Sequence, residues 1–169
     1  MKKVLTRSEM LDLWRTLRAA EPLRLDCTVS RLDGPDYEAA LTAEMRAWYL
    51  DLLDRGPESA LAPVDTTPRA QMSTLDGLTL IEAPADCRRI LRVGFAGQPD
   101  PLVPDGDPEA VRRMAANPFC RRTAAARTGP RSVIVCGARG ALTRLECAVD
   151  HGEQSYIFDD SALSLILTD

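Results

Sequence analysis

The chain has 169 residues and a mass of 18.5 kDa, about one domain's worth and long enough to bury roughly 70% of its unfolded surface. Its 45% hydrophobic and 27% charged residues exclude a disordered chain, and 21 basic against 25 acidic residues, net −4, exclude a protein that is basic throughout. No apolar run approaches the roughly 20 residues of a membrane helix, and the start Met1-Lys2-Lys3-Val4-Leu5 turns polar at Thr6 and Arg7, so neither a spanning segment nor a signal peptide is expected.

Thr6-Arg7-Ser8-Glu9 fits a capping box, and Met10, Leu13, Trp14, Leu17 and Ala20 follow at helical spacing until Pro22 ends the helix. Arg24 to Leu32 is expected to be a short extended stretch. A longer helix is expected to start near Asp33-Gly34-Pro35-Asp36 and to stop at Asp54-Arg55-Gly56-Pro57. Its apolar stripe is Tyr37, Leu41, Met45, Trp48 and Leu52, widened by Leu53, with Tyr49 and Leu50 off the stripe. Trp14 and Trp48 are expected to anchor the core, a subunit contact being the other reading. Glu58 to Thr74 is rich in Pro, Thr, Ser and Ala and reads as a surface connection.

After Thr74 the period changes. Asp76-Gly77 is a tight-turn signal before the strand Leu78–Ile81, Pro84-Ala85-Asp86 punctuates, and Ile90–Phe95 is a second strand. Gln98 to Gly106 reads as a loop. Asp107-Pro108-Glu109 opens a short helix through Val111 and Met114 that Asn117-Pro118 closes, whereas Phe119 to Gly129 has no clear period. Ser132–Cys136 is a continuous apolar strand, and Gly137–Gly140 turns the chain into the alternating Ala141–Cys147, which predicts a hairpin. Tyr156–Phe158 and Leu163–Leu167 are further strand candidates. Helices first and strands later define an α+β class: N-terminal amphipathic helices, then a mainly antiparallel sheet with a short inserted helix. The expected organisation is a single domain over residues 1–169, with a helical part 6–56, a connecting segment 57–74 and a β-rich part 75–169.

The charge is unevenly distributed. Ala110 to Leu145 contains no acidic residue but eight arginines: Arg112, Arg113, Arg121, Arg122, Arg127, Arg131, Arg139 and Arg144. The remainder holds 13 basic against 25 acidic residues, or −12. Such a chain can pair acidic and basic faces between copies of itself, or offer its basic part to an acidic partner. Cys27, Cys87, Cys120, Cys136 and Cys147 are odd in number, far apart and form no Cys-x-x-Cys pair, which speaks against a zinc site and a disulfide framework and for a reducing compartment.

Little catalytic chemistry is legible. The only histidine, His151, lies in a polar loop, and no serine or cysteine stands in a nucleophile elbow. Gly94-Phe95-Ala96-Gly97 and Gly137-Ala138-Arg139-Gly140 lack the spacing and following helix of a phosphate cradle and read as turns. Asp105-Gly106-Asp107 offers oxygens to a hard cation without the ligand number calcium needs. Aromatic residues, 5% of the chain, are too few for a single-strand stacking platform. No catalytic residue, metal site or cofactor is assigned, and the chain is not expected to be an enzyme; a site assembled from dispersed residues remains a rival reading.

The order of segments, however, resembles the head–tail adaptor (connector) proteins of tailed bacteriophages. The matching run is Gly77-Leu78-Thr79-Leu80-Ile81-Glu82-Ala83-Pro84-Ala85-Asp86-Cys87-Arg88-Arg89-Ile90-Leu91-Arg92-Val93: a short strand, a proline–x–aspartate turn, then a strand ending in an apolar–x–valine pattern. Pro84, Asp86, Arg89 and Val93 are its motif residues. A variable loop, the Asn117-Pro118 break and the strand from Pro130 to Gly137 follow in the family's order. The similarity covers Asp33 to Cys147; Ala83 stands where the family tends to have leucine, and the tail has no family counterpart. The resemblance implies a structural subunit that forms a ring under the portal. Its partners would be itself, the portal and tail proteins, with passive contact to DNA and none to membrane. It would act in the host cytoplasm during assembly and then in the virion neck, or stay cytoplasmic if it is a prophage remnant. Arg112, Arg113, Arg121, Arg122 and Arg127 are the candidate contacts to acidic neighbours or phosphates. The alternative is an accessory nucleic-acid- or protein-binding module that uses the arginine-rich segment 112–144.

Overall fold

The structure is a computed structural model that describes residues 1–18 and 36–167. The expected stop at Pro22, the stretch Arg24 to Leu32 and the helix start at Asp33-Gly34-Pro35 lie outside the described residues. Four helices and nine strands in three antiparallel sheets are described, an α+β fold. They form two compact units: Met1–Ala62 with His151–Asp169, and Pro63–Asp150. The β-rich part expected over 75–169 is thus divided, because its last strand pairs with the first residues of the chain.

In the first unit, β1 (Lys2–Thr6) pairs antiparallel with β9 (Ser155–Asp159). Helix α1 (Arg7–Leu17) starts at the predicted capping box: the Glu9 amide donates to the Thr6 hydroxyl at 3.3 Å, and the Thr6 amide to the Glu9 carboxylate at 2.8 Å. That second bond holds the Glu9 carboxyl below the usual glutamate range. Asp36 caps α2 (Tyr37–Arg55), and Leu41, Met45, Tyr49, Leu52 and Leu53 are buried. Tyr49, off the predicted stripe, is at its centre. Its hydroxyl donates to the Ile157 carbonyl and accepts from the Ile157 amide, both at 3.1 Å, and its ring lies 4.9 Å from Tyr156. Trp14 is fully buried, while Trp48 is half-buried between Trp14 and Phe158. The Leu163–Leu167 strand candidate is instead a short helix, α4 (Leu163–Ile166). Asp159 caps the turn before it through the Ser161 amide, which starts helical geometry and buries Ala162 and Ile166 one turn apart.

The second unit is a sandwich of two sheets with a helix on one outer face. One sheet is β2 (Val64–Asp65), β8 (Leu142–Val149) and β5 (Cys87–Phe95) in that order; the other is β3 (Gln71–Leu75), β4 (Leu78–Glu82), β7 (Ser132–Cys136) and β6 (Ala124–Gly129). The core between them takes Ile81, Ile90, Val93, Phe95, Ala125, Val133, Val135, Leu145, Cys147 and Val149. Cys87, Ile90, Val93 and Phe95 all face inward although their spacing is not a steady two, because three irregularities in the β5–β8 register reset the face. On the other side of the four-stranded sheet, α3 (Pro108–Ala116) packs Val111, Met114 and Ala115 against Leu78, Leu80, Ala126, Ile134 and Cys136. The predicted β7–β8 hairpin is not formed. Gly137 (φ +70°) and Gly140 (φ +101°) carry the chain from one sheet to the other, where β8 pairs with β2 and β5. Four strands went unpredicted: β1, the two-residue β2, β3, exposed along its whole length, and β6, within the aperiodic Phe119–Gly129.

Candidate functional site

The acid-free segment lies wholly in the second unit, and the fold gives its arginines different tasks. Arg112 pairs with Glu109 at 2.6 Å one turn away on α3, and Arg113 reaches Asp107 at 4.0 Å. Arg144 is held by Glu146. Arg127, another of the candidate contacts, has a partner within the fold. Its Nε and Nη2 donate to the Ile90 carbonyl at 3.2 and 2.9 Å, at an irregularity where β5 departs from the β8 ladder. The side chain therefore ties the β6 edge of one sheet to the β5 edge of the other. Arg121, Arg122, Arg131 and Arg139 have no acidic partner among the described residues.

The motif residues of the resemblance are structural here. The Pro84 carbonyl accepts the Cys87 amide at 3.0 Å, closing the turn between β4 and β5, and Asp86 holds Arg69 through both carboxylate oxygens, 3.1 and 2.9 Å from Nη1. Arg89 is half-buried opposite Ala148, and Val93 is fully buried. Behind them, Cys87 and Cys147 are buried side by side, and the Cys147 sulfur lies 3.1 Å from the Thr66 hydroxyl. The hydrogen bond shared with Cys147, together with burial, pushes the Cys87 thiol far above the ordinary cysteine range, while the same bond pulls the Cys147 thiol below it.

Arg121 and Arg139 both line a depression of about 560 Å³, together with Ala96, Gly97, Gln98, Thr123, Gly137 and Gly140. It joins the two glycine turns that the sequence presents as unrelated. The Gln98 amide donates to the Phe95 carbonyl at 3.2 Å, with Gly97 at φ +83°, as in a type II turn. The second turn is wedged in place. A Cβ on Gly137 would stand 2.5 Å from the Arg122 carbonyl oxygen, and one on Gly140 would stand 3.0 Å from that of Ala96. Only glycine permits both the left-handed backbone and this approach. The Thr123 hydroxyl donates to the Gly137 carbonyl at 3.3 Å and fixes the third wall. No carboxylate lines the depression. Arg121 was a sequence candidate; Arg139, Gln98 and the glycines were not, since 97, 121 and 139 meet only in the fold.

A second feature is the open edge of the four-stranded sheet. The far edges of the sandwich are covered: the segment 102–105 bridges β5 through Leu102–Val93 and β6 through Asp105–Ala126, beside the Arg127 tie. Among the described residues β3 has no such cover. Its sequence, Gln-Met-Ser-Thr-Leu, carries no charge and no proline, all five residues are exposed, and Leu75 is 75% exposed.

Among the described residues no group of three or more His, Cys, Asp or Glu is placed to hold a metal ion, and no helix is long and apolar enough to cross a membrane. Asp107, half of the Asp105-Gly106-Asp107 candidate, instead caps α3 through the Glu109 and Ala110 amides. His151 is exposed. No protein-family model matches the chain, and the search of curated proteins found no match.

Proposed function

We propose that this chain is a structural subunit that assembles through strand addition at β3, a head–tail connector (adaptor) subunit of a tailed bacteriophage or prophage that forms a ring beneath the portal. The observation that supports assembly is the β3 edge. An exposed edge strand is a template for another chain, and folded monomers blunt such edges with charge, proline, bulges or cover; β3 has none of these. Main-chain bonds along such an edge supply affinity, while the exposed Met72 and Leu75 supply apolar contact. An edge that accepts a different part of the next copy makes a heterologous contact, the kind from which rings close. The connector assignment comes from the order of segments over Asp33–Cys147.

Sedimentation across a concentration and salt series, with co-sedimentation on an isolated portal ring, tests this. The expected result is concentration-dependent oligomers or portal binding that Ser73→Lys abolishes, the exposed lysine leaving the fold intact. A chain monomeric under every condition and silent towards the portal ring overturns it.

A further inference from the structure

We infer that the strand entering the β3 edge is β1 of the next copy, paired antiparallel with Val4 opposite Met72 and Lys2 opposite Thr74; the inference rests on the proposed assembly at β3 and names its partner. The β3 edge presents a fixed set of main-chain groups. Asp76-Gly77 is a two-residue turn with both φ positive, +52° and +78°, so the flanking pair Leu75–Leu78 is hydrogen-bonded. The alternation of an antiparallel ladder then turns Gln71, Ser73 and Leu75 towards β4 and leaves the amides and carbonyls of Met72 and Thr74 facing outward. The far side of β4 has the matching phase. There the Ala83 amide donates to the Arg131 carbonyl at 2.8 Å, which sets Thr79, Ile81 and Ala83 towards β7 and Leu78, Leu80 and Glu82 towards β3.

β1 presents an equivalent set. Among the described residues its one strand neighbour is β9. The Ile157 amide and carbonyl are both taken by the Tyr49 hydroxyl and so face away from β1; Val4, opposite Ile157, is therefore turned outward on its own strand. The Asp160 amide donates to the Met1 carbonyl at 2.9 Å, which gives the same phase at the strand's start. Lys2 and Val4 are the open positions, since the Thr6 amide is held by Glu9. Each edge thus offers two outward residues spaced by two, and one antiparallel register uses all four. Apolar side chains coincide in that register. Val4 and Met72, 63% and 49% exposed, fall opposite each other on one face, and Met1 and Leu75, 86% and 75% exposed, on the other. Cross-strand apolar pairs stabilise such sheets, and like charges set opposite each other weaken them. Self-pairing fits worse: β1 centred on a second Lys3 sets lysine against lysine, and β3 centred on a second Ser73 sets Met72 against Thr74 and Leu75 against Gln71. Because the two strands differ, each contact leaves a free β1 on one copy and a free β3 on the other, and assembly proceeds head to tail.

Sedimentation of the full chain across a concentration series at low ionic strength tests the pairing. In this register Ser73 lies opposite Lys3 of the next copy, whose Nζ is 3.2 Å from its own Asp160. Ser73→Lys sets two cations together and is expected to dissolve the oligomers. Ser73→Glu supplies a counter-charge and is expected to keep them, at an unchanged or lower midpoint concentration. Val4→Pro removes an outward amide, a change that edge strands accept because the inner ladder is untouched. It is expected to raise the midpoint about tenfold or more, through the loss of a main-chain bond and the contacts beside it. Melting curves confirm that each variant folds. Oligomers that Ser73→Glu dissolves as fully as Ser73→Lys, as pairing of β3 with itself would require, overturn β1 as the partner and leave assembly at β3 standing. So do oligomers that Val4→Pro leaves intact, and portal binding by a chain whose own copies never associate. A chain monomeric throughout and silent towards the portal ring overturns both proposals.

Discussion

Arg127 has a structural partner that charge alone does not reveal. In the sequence it is one of eight basic residues without an acidic neighbour; in the fold its guanidinium satisfies a carbonyl that an irregular β5 leaves off the ladder. Replacing it by methionine keeps most of the stem packing and removes both donors. A partly buried carbonyl left without a partner costs about 1–3 kcal/mol, so Arg127→Met is expected to lower unfolding free energy by that amount in urea titration. A stability loss within error would mean that water replaces the guanidinium. Asp159 makes the complementary case for an acid. The Ser161 amide, the Met1 ammonium and the Ser161 hydroxyl donate to its carboxylate, and together they hold its pKa down to about 2. A folded-state pKa below the unfolded one, 3.8, gives stabilisation that is complete above about pH 4 and lost as the pH falls through about 2. Asp159→Asn is expected to flatten the melting temperature of the first unit across that window, and an unaltered acid limb would refute the assignment.

Elements became legible in the sequence according to how many of their faces are wet. The α1 capping box, the α2 stripe, and strands β4, β5 and β7 declared themselves because each shows an apolar face or run bounded by turn residues. β3 and β6 did not, for opposite reasons. β3 is exposed on both faces, so no hydrophobic period marks it. β6 sends Ala125 into the sandwich core and Ala126 under α3, so both faces are covered by small residues and no alternation arises. The depression was illegible for a third reason: its walls are three turns whose residues do not converge until two sheets stack. α3 is the element whose start was read most directly, from Asp107-Pro108-Glu109, and its cap bonds are present. Asp107→Ala removes two acceptor contacts to the first turn and is expected to destabilise the second unit by about 1 kcal/mol, read as a lower denaturation midpoint with an unchanged slope. Because α3 covers the outer sheet face, a larger loss would show that the cap also positions Val111 and Met114 in their packing.

At the scale of the whole chain, charge segregation in sequence does not survive as segregation in space. The second unit contains twelve arginines against ten carboxylates, net +2, so the acid-free run folds among acids contributed by the segments around it, Asp107 and Glu146 included. Attraction between oppositely charged halves is therefore a weaker basis for assembly than the uncharged β3 edge, and what the chain offers a partner is local. The division into units makes a sharper statement about folding. Pro63–Asp150 is one continuous stretch, and both the sandwich core and the layer under α3 are built from its own residues. The first unit instead needs both ends of the chain, since β1 pairs with β9. A stretch with a closed set of core residues has the thermodynamic means to fold alone even near the lower end of domain sizes. Residues 63–150 expressed alone are therefore expected to unfold in a single cooperative thermal transition and to give dispersed amide resonances. A fragment that melts gradually, with collapsed resonances, would show that the sandwich depends on the first unit.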